Sequence, residues 1–247
     1  MENTEQNSDI KSILKNLMTS PYSQTENIVL TEQKLKNLYQ ENPQNIEILI
    51  GLLFCNVMFG KRGLALELSQ KIWQLGGNLS PFFELVYSDC LINLGELEKA
   101  EILITPRLKK LSDNLDYFYM VFVKYALASG NLFLLTQIGE YPGNDVEKTL
   151  FDFAKKHAFN ESSIQYKSLI KIVMNTIKND LCSLEYVMYP DVVEIILYTS
   201  KTEEENNAIQ DKIETNLEEI FSQTAFEFDD FSIKLENISN HTAWLEV

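Results

Sequence analysis

The side chains best suited to acid–base chemistry in this sequence are Glu227, Asp229 and Asp230, three carboxylates in one short run. Acid–base catalysis needs two carboxylates held across a cleft with their pKa values pushed apart. No other residue can be shown to converge on these three, so the run reads as a solvated turn at a strand end. His157 follows Lys155 and Lys156 on a helical stretch, and His241 is the other histidine. No Ser-His-Asp or Cys-His arrangement follows from the spacing, and His157 reads as a surface or satisfied core residue. Cys55, Cys90 and Cys182 form no CxxC pair, and a zinc site would lack ligands. Their sparse, odd number fits reduced thiols. No GxxxxGK[ST] or GxGxxG run is present to cradle a phosphate. Trp73 and Trp244 read as core. The chain is therefore expected to be no enzyme, with no catalytic residue, metal or cofactor assigned.

Charge narrows the partners. Of the net −15, residues 1–45 carry −2, residues 46–145 carry −3 and residues 146–247 carry −10. The last 57 residues, 191–247, hold 3 lysines against 14 acids, a local −11. A nucleic-acid binder normally presents a basic patch, and none is present. No apolar run is long enough to span a membrane. The acidic, polar start Met1–Asn7 lacks the basic and apolar parts of a secretory signal, so a cytoplasmic protein without membrane contact is expected.

The elements that would position any site are dominated by a repeat. Gly60, Gly95 and Gly130 follow one another at intervals of 35 residues, each between two helical patterns. Cys55 and Cys90 share the same spacing and read as one packing slot used twice. A short helix is expected near 9–18 and another at 31–41, before Pro43. Ile46–Met58 is apolar on nearly every side and must be packed on every side. A helix at 63–75 follows, closed by Gly76-Gly77, and Ser80-Pro81 opens the next. Hairpins are expected at 81–94/97–111 and 115–129/132–139, with Gly139, Pro142 and Gly143 as a boundary. Helices at 145–158 and 161–178 either continue the stack or begin another domain. The β-branched run at 192–198 reads as a buried strand. Thr202-x-x-Glu205 is a capping box opening a helix at 203–222. Phe231, Ile233 and Leu235 alternate with polar residues as a half-buried strand, and 242–247 alternate more weakly. The order is β-α-β-β.

The glycine turns, with Ala65 and Ala100 in the following helices, resemble the tetratricopeptide repeat over about residues 30–140. The Leu-Gly pair of that pattern is missing: Leu52-Leu53 and Tyr87-Ser88 stand in its place, and Leu135 occupies the third Ala position. The resemblance implies a concave groove lined by first helices and holding an extended or helical peptide. Carried over through the glycines, its positions are Glu47, Ile50, Phe54 and Val57, then Phe82, Leu85, Asp89, Ile92 and Asn93, then Tyr117, Met120, Val121 and Lys124. Phe54, Phe82, Asp89, Asn93, Tyr117, Met120 and Lys124 are the partner-binding set this implies, with apolar anchors supplying most of the energy. The alternative is a groove covered by the N-terminal helices or by residues 145–178.

The expected architecture is mainly α, a short TPR-like α-α superhelix followed by a small α+β module. Its parts are 1–45 (degenerate first repeat), 46–145 (repeats), 146–190 (continuation or connector) and 191–247 (acidic module). The function this implies is protein or peptide binding as an adaptor, chaperone or assembly factor. The alternative is an acidic inhibitor or immunity-type protein whose C-terminal module blocks a basic surface. That module's helix carries Glu203, Glu204, Glu205, Asp211, Glu214, Glu218 and Glu219, either a solvated face or a steering field.

Overall fold

A computed structural model describes residues 10–15, 25–108, 111–138, 145–221 and 230–239, without the side chains of 25–27, 111–118, 145–147 and 217–221. The expectations at Gly139, Pro142, Gly143, Glu227, Asp229, His241, Trp244 and strand 242–247 lie outside these residues, as do the side chains of Tyr117, Glu218 and Glu219.

The chain is mainly helical with one small sheet near its C-terminal end. Helix α1 covers residues 10–15. It is followed by α2 (Thr25–Glu41), α3 (Ile46–Met58), α4 (Arg62–Leu75), α5 (Pro81–Asn93), α6 (Leu97–Leu108), α7 (Leu111–Ser129), α8 (Leu132–Ile138), α9 (Asp145–His157) and α10 (Glu161–Ile177). Local chemistry sets these bounds. Asn45 caps α3 by accepting from the N–H groups of Glu47 at 2.9 Å and Ile48 at 3.3 Å. Every residue of α3 from Ile48 to Val57 is buried, as an all-apolar helix requires. Pro81 opens α5, while the Ser80 hydroxyl makes no capping bond.

The three turn glycines sit at φ of +63°, +74° and +69°. Each makes the same pair of closing bonds. Gly60 N–H reaches Val57 O and Lys61 N–H reaches Asn56 O; Gly95 and Glu96 repeat this onto Ile92 and Leu91, and Gly130 and Asn131 onto Leu127 and Ala126. That is the Schellman end of a helix, in which glycine supplies the left-handed residue at no steric penalty. The repeat seen in sequence is thus a repeated hydrogen-bond motif. First helices stack on first helices, α3 on α5 and α5 on α7. The α9–α10 hairpin continues the stack, with α9 on α8 and α10 on α7.

The sheet comprises β1 (Leu181–Met188), β2 (Val193–Thr199) and β3 (Phe231–Asn237), with α11 (Glu203–Phe221) between β2 and β3. Its order is β1-β2-β3, with β1 antiparallel and β3 parallel to β2. The expected strand, helix and strand at 192–198, 203–222 and 231–235 are present, and β1, before residue 191, is a strand that the sequence reading did not place. A register irregularity between Leu181 and Ser183 interrupts its alternation, leaving Leu181–Leu184 buried without a break. Beyond it, Leu184, Tyr186 and Met188 pair with Leu197, Ile195 and Val193. One apolar core runs from Ile10 through the helices to Phe231, so the sheet is built into the stack.

Arg62 joins the two parts. Its guanidinium donates to Leu94 O (3.1 Å), Asn179 O (3.0 Å), Lys178 O (2.6 Å) and Leu181 O. These carbonyls belong to the ends of α5 and α10 and the start of β1. A fixed cation suits the negative ends of two helices.

Candidate functional site

The implied groove is occupied by the chain itself, which corrects the open-surface reading and follows the covered alternative at its N-terminal end. Phe54 is 7% exposed, Phe82 3% and Asn93 4%. Ile50, Val57, Leu85, Ile92 and Val121 are buried as well. Helix α1 covers the N-terminal end: Lys11 Nζ stands 5.8 Å from the Phe82 ring centroid, and Leu14 and Leu35 lie over Gly51. Strand β1 covers the rest, packing on α3, α5 and α7.

The polar groove residues are engaged with one another. Lys124 Nζ donates to Asp89 Oδ1 at 2.8 Å and Asn93 Oδ1 at 3.3 Å, and Asn93 Nδ2 donates to Asp89 Oδ2 at 3.2 Å. Asn93 Oδ1 also accepts the β1 amide of Leu184 at 3.1 Å. Burial alone would lower the Lys124 pKa, but the Asp89 charge and hydrogen bond outweigh it and hold the ammonium above its ordinary value. Asp89, Asn93 and Lys124 thus form an internal tie between α5, α7 and β1. Among the described members of the set Met120 is the exposed one, at 59%, and Tyr186 Oη donates to its sulfur at 3.1 Å. Glu47, in the first turn of α3, has its carboxyl raised by burial against the pull of Lys11.

The fold brings together two groups far apart in sequence, His157 and Asp230. His157 Nε2 lies 3.1 Å from each carboxylate oxygen of Asp230, which also accepts from Lys156 Nζ at 2.7 Å. Desolvation would raise the Asp230 pKa, but the hydrogen bonds from Lys156 and His157 outweigh it and keep the carboxyl below its ordinary value. His157 is 5% exposed and packs on Phe153, which stacks on Phe231 at 5.6 Å; Tyr166 meets Phe231 edge-on at 4.9 Å. With Nε2 turned onto Asp230 and the ring buried, the pair fastens α9 to the start of β3. Beside it a cleft of about 390 Å³ is lined by Lys148, Thr149, Asp152, Lys156, Asp191 and Asp230. Sequence spacing carried no signal of this junction, because its halves are 73 residues apart.

The cysteines are free, buried thiols. Burial pushes Cys55 up to about 12 and Cys182 up to about 11, and Cys90 well above its ordinary value. Thiols held protonated in this way are packing groups rather than nucleophiles. Among the described residues no three His, Cys, Asp or Glu side chains are placed to hold a metal ion. No described helix is long and apolar enough to cross a membrane.

What faces outward is α11. Thr202 and Glu205 form the expected capping box, with Thr202 N–H to Glu205 Oε2 at 2.9 Å and Glu205 N–H to Thr202 Oγ1 at 3.3 Å. Past the cap, Glu203, Glu204, Asp211 and Glu214 are exposed. Elsewhere the exposed apolar side chains include Phe133 and Phe159, in edge-on contact at 5.8 Å, and Ile164. Trp73, expected in the core, is 39% exposed, with Lys99 Nζ 5.9 Å from its ring centroid. Fold and surface together define a helical-hairpin stack carrying an acidic β-β-α-β cap. In comparisons with known proteins, no family model, curated protein or solved structure matches this chain.

Proposed function

We propose that this chain is a non-enzymatic protein-binding module whose acidic C-terminal cap docks on a basic surface of its partner, with the helical stack as its rigid support. The observation that carries this reading is the contrast in how polar groups are used. The groove's Asp89, Asn93 and Lys124 are satisfied internally, whereas Glu204, Asp211 and Glu214 project outward on one helix. A one-signed field on a fixed element steers oppositely charged partners and raises association rates. Inhibition or neutralisation of a basic enzyme is the role such a surface suits best.

The test is affinity capture by the full chain beside an Asp211→Lys/Glu214→Lys double variant, with partners identified by mass spectrometry and purified for binding. A basic protein that binds the wild type and loses at least about tenfold in affinity with the variant supports the reading. A partner bound equally by both contradicts it.

A second reading rests on α1, which lies in the groove where the tetratricopeptide-like pattern would place a helical peptide. In that reading α1 is a self-ligand that a partner helix displaces. Deleting residues 1–15 should then raise partner affinity; unchanged or lower affinity argues that α1 is permanent core.

A further inference from the structure

Among the described residues the sheet ends in a strand with one unpaired side. Among the described residues β3 pairs only with β2. The register sets Val193 opposite Phe231, and Val193 N–H donates to Asp230 O at 2.9 Å. Residues alternate in direction along a parallel ladder, so Asp230, Ser232, Lys234 and Glu236 address β2. The backbone groups of Ile233 and Leu235 therefore point away from it. That edge opens onto a cleft of about 340 Å³, walled by Glu203, Asn206, Asn207 and Gln210 of α11 and by β3 from Ile233 to Asn237.

Two further features of this cleft point to an occupant. Asn206 is 1% exposed, and its Oδ1 accepts from Thr199 Oγ1 at 2.7 Å, yet its Nδ2 has no acceptor among the described residues. A buried amide donor left open in this way is uncommon and unfavourable. The cleft is also acidic. Glu203 and Glu236 border it, and its one lysine, Lys234, is held by Glu236 at 2.6 Å.

We propose that a basic, extended segment of a partner protein adds to the open edge of β3 as a fourth strand. Its carbonyls meet the N–H groups of Ile233 and Leu235, and its lysines or arginines meet Glu203 and Glu236. Main-chain bonds would supply affinity and alternate side chains specificity, as in other strand-addition complexes. The proposal rests on the acidic cap being the partner-binding face and specifies how it binds.

The test uses the full chain and three synthetic peptides matched to the 7 residues of β3. One alternates lysine and valine, the second has the same sequence with the backbone nitrogens facing β3 methylated, and the third has glutamate in place of lysine. The lysine peptide should bind at low salt and slow hydrogen exchange at the Ile233 and Leu235 amides. Methylation should weaken binding by about tenfold or more, since it removes the donors that pair with the β3 carbonyls. Equal binding of the methylated and unmethylated peptides would overturn strand addition while leaving charge docking intact. Binding of the glutamate peptide as tight as that of the lysine peptide would sink both. If neither lysine peptide binds, strand addition fails, and the charge-reversal experiment judges the acidic face independently.

Discussion

The helical stack and the sheet cap solve the same folding problem by opposite means. The stack is built from local rules: one Schellman turn used three times, 35 residues apart, with each hairpin resting on its neighbour. The cap is built from distant ones, since Arg62 binds Leu181 across 119 residues and Asn93 accepts from Leu184 across 91. Their surfaces differ in the same way. The stack holds charges in half-buried pairs such as Lys124–Asp89 and Arg107–Glu84, while α11 carries exposed acids. Repetition makes a stable support, and the irregular addition covers the support's groove and supplies a surface of its own.

The strongest way to break this arrangement is to cut the tie between the parts. Arg62→Ala leaves four carbonyls at two helix ends and one strand start without their donor. A loss of about 3 kcal/mol in urea unfolding is expected, and Arg62→Lys should recover less than half, because an ammonium cannot reproduce the planar fork. An unfolding midpoint unchanged by Arg62→Ala would mean that the parts are held by apolar packing alone.

A graded effect is expected at the glycines. A Cβ on Gly130 would stand 2.7 Å from Lys167 Cα, backbone of the next hairpin, whereas on Gly95 it would stand 3.3 Å from the flexible end of Leu181. Gly76, at φ +60°, faces open space. Each alanine pays the positive-φ strain of roughly 1 kcal/mol, so Gly130→Ala should destabilise most, Gly95→Ala next and Gly76→Ala least. Equal melting temperatures for the three would show that neither close approach matters.

The smallest effect concerns pH. The folded Asp230 carboxyl titrates below its ordinary 3.8, so it adds stability that is complete above the unfolded value. That contribution is lost as pH falls through the folded one. Asp230→Asn should therefore lower stability by under about 1 kcal/mol at neutral pH, a modest figure because Lys156 is largely solvated. The difference from wild type should shrink progressively as pH falls below the ordinary 3.8. A constant difference down to pH 2 would show that the loss is one of packing.

Legibility in the sequence follows the same division. The turn glycines, the all-apolar α3, the capping box at Thr202 and the strands at β2 and β3 are local signals, and each stands where its pattern places it. Strand β1 was illegible because its irregularity near Cys182 removes the alternation that marks a strand. The covering of the groove was legible only as one of two alternatives, and the part that β1 plays in it was not among them. Nothing in Phe82 or Asn93 announces Lys11 or Leu184 as its neighbour, and first-helix residues of a repeat look alike whether they meet a partner or their own chain. Asp230 and Lys124 show the limit for candidate sites: residue type suggested their chemistry, but only the fold shows that each is already paired.

Truncation cannot separate the two regions cleanly, since a cut near residue 190 would divide β1 from β2. The central claim is better tested in the whole protein, by the salt dependence of its association rate with a captured basic partner. If α11 and the β3 edge form the docking face, the rate should fall by about tenfold or more between 20 and 300 mM salt, because exposed charges are screened over roughly 8 Å at physiological ionic strength. The Asp211→Lys/Glu214→Lys variant should begin slow and lose little more. A rate indifferent to both salt and charge reversal would contradict the account and return the search to the apolar surface around Phe133 and Phe159.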